Sequence, residues 1–119
     1  MKEVQIYTDG ACRGNPGHGG WGTILVYGKH EKELSGGERE TTNNRMELTA
    51  VIEGLSALKE SCKVTVYSDS KYVVDAFLQD WITGWKVSGF RRGKVKNPDL
   101  WERLLDLTEQ HQVSFVWVK

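Results

Sequence analysis

The sequence of 119 residues contains only two cysteines and has no long apolar run. Cys12 and Cys62 lie far apart and no secretion signal is visible, so we expect two reduced thiols, no disulfide and a cytoplasmic location. No apolar stretch approaches the roughly 18 residues of a membrane span, so we expect no membrane partner. The length suits one domain over residues 1–119, and contents of 39% hydrophobic and 27% charged residues are typical of a chain that folds.

Several reaction chemistries also lack their characteristic residues. No set of cysteines and histidines has the spacing of zinc ligands. The glycine-rich stretch 14–20 is not followed by the Gly-Lys-Ser/Thr of a phosphate-binding loop, and no local signature of a Ser-His-Asp hydrolase is present. These absences disfavour a zinc protein, a nucleotide-binding protein and a serine hydrolase.

The chain has no net charge, but this average hides a local excess. It contains 16 basic and 16 acidic residues, whereas the stretch 81–97 has basic residues and no acid. The basic residues are Lys86, Arg91, Arg92, Lys94 and Lys96, and the aromatic residues among them are Trp81, Trp85 and Phe90. This pattern favours a local contact with a polyanion, and a solvated charged face is the alternative.

Hydrophobic periodicity predicts five strands, at residues 4–8, 21–27, 31–41, 63–68 and 113–118. It predicts helices at residues 44–59, 70–78 and 98–110, and a short helix followed by a loop in the basic stretch. Residues 10–20 are predicted to form a glycine-rich turn. Short connections favour an antiparallel arrangement of the first three strands, with the polar third strand at an edge. The order of elements predicts an α/β fold in which a five-stranded mixed sheet is flanked by helices.

An internal repeat points to the chemistry. Val4-Gln-Ile-Tyr-Thr-Asp9 and Val64-Thr-Val-Tyr-Ser-Asp69 share one pattern, and each run ends in an aspartate. If these strands are parallel neighbours in matching register, the two carboxylates emerge from one face about 5 Å apart. Such a pair repels unless a proton or a cation lies between the two groups. Oxygen ligands of this kind favour Mg²⁺ or Mn²⁺ over zinc.

Glu47, in the first turn of the helix predicted at 44–59, is a third acid expected near this pair. Each acid also has a local explanation. Asn44-Arg-Met-Glu47 has the spacing of a capping box, Asp69 could cap the following helix, and Asp9-Gly10 could form a turn. Both interpretations stay open for each residue taken singly.

Several motifs carry a resemblance to a known family. They are Tyr7-Thr-Asp-Gly-Ala11, Gly14-Asn-Pro-Gly17, Gly20-Trp-Gly22, Thr41-Thr-Asn-Asn-Arg-Met-Glu-Leu48, Tyr67-Ser-Asp-Ser70, Trp81-Ile-x-x-Trp85-Lys86, Asn97-Pro-Asp-Leu-Trp101 and Trp117-Val-Lys119. Over its whole length the chain resembles the bacterial type 1 ribonuclease H family. The resemblance implies a ribonuclease H-like fold, with strands 1–3 antiparallel and strands 4 and 5 parallel to strand 1.

The resemblance also implies endonucleolytic hydrolysis of the RNA strand of RNA–DNA hybrids by two metal ions, with Mg²⁺ as cofactor and Mn²⁺ as its substitute. The implied catalytic and metal-binding residues are Asp9, Glu47 and Asp69, with the backbone of Gly10 as a further ligand. The implied substrate-binding residues are Asn15, Thr42, Asn43, Asn44, Lys71, Trp81, Trp85 and Lys86. Lys71 stands where relatives often have glutamine.

The sequence departs from the family pattern after Lys119, where relatives continue into a Gly-His loop and a final helix. We therefore expect a domain truncated at its C-terminus, with an incomplete site and impaired cleavage that favours Mn²⁺. The family is monomeric, but the surface left by the missing helix would allow a dimer. The alternatives are a non-catalytic module that binds RNA–DNA hybrids, and a nuclease or transposase of the wider superfamily.

Overall fold

The computed structural model describes residues 1–88 and 95–119 of the chain. The strands are β1 (Lys2–Cys12), β2 (Gly17–Tyr27), β3 (His30–Thr41), β4 (Cys62–Ser68) and β5 (Gln112–Trp117). The helices are α1 (Asn43–Ser56), α2 (Lys71–Leu78), α3 (Trp81–Ser88) and α4 (Pro98–Glu109). The short helix predicted in the basic stretch is α3. The predicted polyanion-binding residues Phe90, Arg91, Arg92 and Lys94 lie outside the described residues.

The five strands form one mixed sheet in the order β3-β2-β1-β4-β5. β1 pairs with β2, and β2 with β3, in antiparallel fashion, whereas β1 with β4 and β4 with β5 are parallel. This confirms the predicted mixed sheet and the position of the third strand at its edge. β1 lies at the centre, so residues at its end are within reach of both β2 and the corner after β4.

The glycine-rich turn predicted at residues 10–20 is wrong in extent. β1 continues to Cys12 and β2 already begins at Gly17, so only residues 13–16 connect the two strands. Two glycines of these strands, Gly10 and Gly19, allow close packing and do not form a turn. A Cβ on Gly10 would lie 2.5 Å from the backbone carbon of Met46, and a Cβ on Gly19 would overlap the side chain of Thr41.

Helix α1 begins one residue before its predicted start and ends three residues before its predicted end. Thr42 is its N-cap, because the hydroxyl oxygen accepts a hydrogen bond of 3.2 Å from the amide of Arg45. The helix packs an apolar stripe on the sheet, in which Leu48, Val51, Ile52 and Leu55 are fully buried. Gly54 permits this packing, since a Cβ there would lie 3.0 Å from Ile6.

The core lies on one face of the sheet and holds the aromatic side chain of Trp101. This side chain of α4 is fully buried, and its indole N–H donates to the hydroxyl of Tyr72 at 2.9 Å. Phe77 packs on Trp101 at 6.0 Å and stacks on Phe115 at 4.0 Å. α2, α4 and β5 are therefore joined through one aromatic cluster.

Two further features of the described residues bear on the class of protein. Cys12 and Cys62 are both free thiols. Within residues 1–88 and 95–119, no helix combines the length and the apolar character that crossing a membrane requires.

Close packing at Gly10 predicts that an alanine substitution there destabilises the fold more than one at Gly22 in the neighbouring strand. Gly10→Ala should lower the free energy of unfolding by about 2 to 3 kcal/mol, because the added methyl group overlaps the α1 backbone. Gly22→Ala is the matched control, since nothing lies within 4 Å of a Cβ there. It should change stability by about 0.5 kcal/mol or less. Urea unfolding measures both, and equal losses would contradict the close approach.

The environment of His111 predicts that the stability of the fold depends on pH. Its Nδ1 accepts a hydrogen bond of 3.0 Å from the amide of Cys62, and burial lowers the pKa of the imidazole. The unfolded chain then binds the proton at higher pH than the folded one, so stability contributed here falls as pH drops through about 6.5 and below. His111→Asn keeps an acceptor without the titration. Urea unfolding from pH 7.5 to 5 should show the larger acid loss in the native sequence, and parallel profiles would contradict this role.

Candidate active site

The three acids singled out by the sequence lie together where the pairing of the two central strands ends. One carboxylate oxygen from each of Asp9, Glu47 and Asp69 falls within 4.8 Å of the others. β1 and β4 pair in the predicted register, with Tyr7 opposite Tyr67, and these two rings stack at 4.8 Å. The aspartates follow these tyrosines at equal spacing. The predicted convergence of the carboxylates is confirmed.

The local explanations for these acids are wrong. The cap of α1 is Thr42, and Oε1 of Glu47 accepts a hydrogen bond of 2.7 Å from the amide of Gly10 in β1 instead of from its own helix. The cap of α2 is Ser70, whose hydroxyl accepts a hydrogen bond of 3.3 Å from Val73, so Asp69 does not cap it. Asp9 lies within β1 and not in a turn.

The unequal lengths of the central strands explain how Glu47 reaches this place. β4 ends at Ser68, opposite Thr8, whereas β1 continues to Cys12. Gly10 lies beyond the last pair of this parallel ladder, and its N–H bonds to the side chain of Glu47 instead. The missing Cβ of Gly10 also makes room for the α1 backbone, because that atom would lie 2.6 Å from the amide nitrogen of Glu47.

Burial sets the electrostatics of the cluster. Only 7% of Glu47 is exposed, and this burial raises the pKa of its carboxyl from 4.5 to about 7. The hydrogen bond from Gly10 opposes the rise, while the neighbouring charges of Asp69 and Asp9 add to it. The second oxygen of Glu47, Oε2, is buried and has no hydrogen bond of ordinary length, although the hydroxyl of Ser68 lies near enough to Glu47 to lower the pKa of the carboxyl. A buried, unpartnered carboxylate oxygen beside two other carboxylates fits a divalent cation with oxygen ligands, such as Mg²⁺ or Mn²⁺.

Four of the predicted substrate-binding residues lie around the start of α1. The side-chain oxygen of Asn15, in the connection between β1 and β2, accepts a hydrogen bond of 3.3 Å from the amide of Asn43. Asn43 and Asn44 are exposed in the first turn of the helix that Thr42 caps. The structure thus brings these polar groups to one surface at the helix end that also carries Glu47.

The other predicted substrate-binding residues lie on α2 and α3. Trp81 is 42% exposed, and its ring centroid lies 6.4 Å from that of Trp85. Trp85 is partly buried, because its ring packs edge-on against the core residue Trp101 at 4.9 Å. Trp85 therefore contributes to the hydrophobic core, whereas Trp81 lies at the surface of α3. Lys86 belongs to α3, and its side chain lies outside the described part of the structure.

Lys71, the first residue of α2, is exposed and lies next to a residue that the sequence did not mark as functional. Its Nζ atom lies 5.0 Å from the centroid of the Trp117 ring. The indole N–H of Trp117 donates to the backbone carbonyl of Asp69 at 3.2 Å. In the sequence Trp117 is only one of five tryptophans, and its place beside Asp69 depends on the pairing of β5 with β4.

The match to the family model of RNase H extends over residues 1–119. The chain belongs to the RNase H family. A ribonuclease H from Syntrophus aciditrophicus (strain SB) is 60% identical over 122 residues, a match that covers 100% of this chain and 70% of the relative. The enzyme class of the chain is accordingly ribonuclease H, and the alternative of a nuclease or transposase of the wider superfamily is not supported.

Solved structures of the family agree with this assignment. The chain is similar to LC9-RNase H1, a type 1 RNase H with the type 2 active-site motif, with a TM-score of 0.88 and 30% identity over 100% of this chain. It spans 64% of the length of that protein. It is also similar to LC11-RNase H1, solved in complex with an RNA/DNA hybrid, with a TM-score of 0.69 and 27% identity over 97% of this chain and 84% of that one.

The raised pKa of Glu47 predicts a pH-dependent cost of keeping this site without metal. Between about pH 4.5 and 7 the folded chain retains a proton on Glu47 that the unfolded chain has lost, so stability from this group falls as the pH rises through that window. In EDTA at pH 8, Glu47→Gln should therefore raise the free energy of unfolding by about 1 to 3 kcal/mol. At pH 4 the two proteins should differ little. Urea unfolding at both pH values measures this, and an equal difference at both would contradict it.

Proposed function

We propose that the chain cuts the RNA strand of RNA–DNA hybrids endonucleolytically, with divalent cations held by Asp9, Glu47 and Asp69. The observation that carries this proposal is the convergence of the three carboxylates within 4.8 Å, one of them with a buried unpartnered oxygen. Membership of the RNase H family supports the reaction. The complex of LC11-RNase H1 with an RNA/DNA hybrid supports the substrate class.

Each residue of the cluster has a separate part in this proposal. Asp9, within β1, and Asp69, directly after β4, supply charged oxygen ligands. The Gly10 amide holds one oxygen of Glu47, which leaves Oε2 for a cation, and we assign the Gly10 backbone itself as a further ligand. When bound, two Mg²⁺ or Mn²⁺ ions would lower the pKa of an attacking water and neutralise charge on the leaving 3′ oxygen.

Recognition of the hybrid is assigned to the polar surface at the start of α1. The side chains of Asn15, Thr42, Asn43 and Asn44 can reach ribose 2′-hydroxyls and base edges in a wide, shallow minor groove, which distinguishes RNA from DNA. The exposed ring of Trp81, with Trp85 and Lys86 on the same helix, is assigned to the DNA strand. Lys71 is assigned to a backbone phosphate, where its ammonium group would release a counterion on binding.

The described residues bring three carboxylates to this cluster. We propose that water completes the coordination shell and that cleavage by the 119-residue chain is weak. Mn²⁺ should support it better than Mg²⁺, whose coordination demands near-ideal octahedral geometry. A module that binds hybrids without cutting them is the second candidate, and the small number of acids in the cluster is the observation that favours it.

Oligomeric state and location complete the proposal. Tyr7 and Val116 alternate with the buried core residues Ile6 and Phe115, so they lie on the sheet face away from the core, where they are 45% and 38% exposed. This apolar strip would allow a second copy to dock, although the family is monomeric. Free thiols at Cys12 and Cys62 suit a reducing cytoplasm.

Cleavage of labelled duplexes tests the proposed function. The chain should cut the RNA strand of an RNA–DNA hybrid, more rapidly in Mn²⁺ than in Mg²⁺ and not in EDTA, and should leave duplex DNA and duplex RNA intact. Asp9→Asn should nearly abolish cleavage, yet raise the metal-free stability by about 1 kcal/mol because it relieves carboxylate repulsion. Binding of the hybrid without cleavage in either metal would establish the second candidate instead. A large loss of stability in Asp9→Asn would show that this carboxylate is structural.

A further inference from the structure

Asp69 occupies a corner of the chain, and little of the regular structure holds it there. It follows Ser68, the last residue of β4, and precedes Ser70, the cap of α2. The hydroxyl of the buried Ser68 accepts a hydrogen bond of 3.0 Å from Ser70, and the carbonyl of Ser68 accepts one of 2.9 Å from Val118. These bonds fix the residues on both sides of the corner, but neither involves Asp69 itself.

The indole of Trp117 does bond to Asp69. Trp117 lies opposite Ser68 in the parallel ladder of β4 and β5, and its N–H donates to the carbonyl oxygen of Asp69 at 3.2 Å. This bond restrains the peptide plane that follows Asp69, and with it the direction in which the carboxylate leaves the backbone. Groups that orient a metal ligand in this way commonly change metal affinity when they are removed.

The ring of Trp117 has a second contact, on its face. Nζ of Lys71 lies 5.0 Å from the ring centroid, in the range of a cation–π interaction. This contact restrains the long, flexible side chain of Lys71. Because Trp117 is 39% exposed, the ammonium group is held at the surface, two residues after Asp69 in the chain. The indole of Trp117 thus contacts Asp69, a candidate metal ligand, through its edge and Lys71, a candidate phosphate-binding residue, through its face.

We propose that Trp117 is a positioning residue of the site: its N–H orients Asp69 for metal binding, and its ring holds Lys71 for the substrate. This inference rests on the proposed function for the roles of Asp69 and Lys71. The two contacts use different parts of the indole, so two substitutions separate them. Trp117→Phe removes the N–H and keeps an aromatic face, whereas Trp117→Leu removes both.

Titration calorimetry with Mn²⁺ on the full chain tests the first contact without reference to activity. Trp117→Phe should weaken Mn²⁺ binding about 10-fold. Trp101→Phe is the matched control, because it also removes one indole hydrogen bond, to the hydroxyl of Tyr72 at 2.9 Å, but within the core. It should lower the melting temperature and leave Mn²⁺ affinity unchanged. Unchanged affinity in Trp117→Phe, or an equal loss in Trp101→Phe, would overturn the assignment to Asp69.

Kinetics of hybrid cleavage in Mn²⁺ test the second contact. Both substitutions of Trp117 should lower kcat, but only Trp117→Leu should also raise KM, as Lys71→Met should. Equal KM values in Trp117→Phe and Trp117→Leu would overturn the assignment to Lys71. If the native chain binds no Mn²⁺ or cuts no hybrid, the proposed function is contradicted. If the native chain binds Mn²⁺ and cuts the hybrid, and Trp117→Phe does both equally well, only the role of Trp117 is contradicted.

Discussion

The hydrogen bond from the Gly10 amide to Glu47 is the contact on which the site depends. It joins the central strand directly to the start of α1, and it forms because β4 ends before β1 does. Its length of 2.7 Å requires a helix backbone so close to the strand that no Cβ fits at Gly10. The same close approach places Asn43 and Asn44, at the start of α1, beside the connection that carries Asn15.

This arrangement is unfavourable in electrostatic terms while no cation is bound. Glu47 is largely withdrawn from water, and two further carboxylates face it within 4.8 Å. Burial, together with these neighbouring charges, raises the pKa of Glu47 to about 7. Groups held in a costly protonation state commonly mark functional sites, because a structural role would be served better by a neutral side chain. The fold offsets this cost elsewhere, through the fully buried stripe of α1 and the aromatic cluster around Trp101.

The same aromatic cluster ties the proposed substrate surface to the core. Trp85 rests on Trp101, which in turn donates to Tyr72 at the beginning of α2. α3 is thereby anchored to the core through Trp85, and also through Ile82, while Trp81 remains exposed. A tryptophan that the sequence marks as a substrate contact thus also has a part in packing, and loss of its ring would affect stability together with any binding.

The sequence by itself predicted the mixed sheet and the order of its elements, because apolar periodicity is a local property of the chain. The repeated strand pattern predicted that Asp9 and Asp69 lie close together if β1 and β4 pair in register, and the tertiary structure supplied that pairing. It also pointed to Glu47, but it left a capping role open for this residue. Only the tertiary structure decided that role, since the bond to Gly10 joins residues far apart in the chain. The roles of Gly10 and Gly19 and the place of Trp117 were decided in the same way. Their importance comes from backbones and rings that meet only when α1 packs on β1 and β5 pairs with β4, and no local pattern records such contacts.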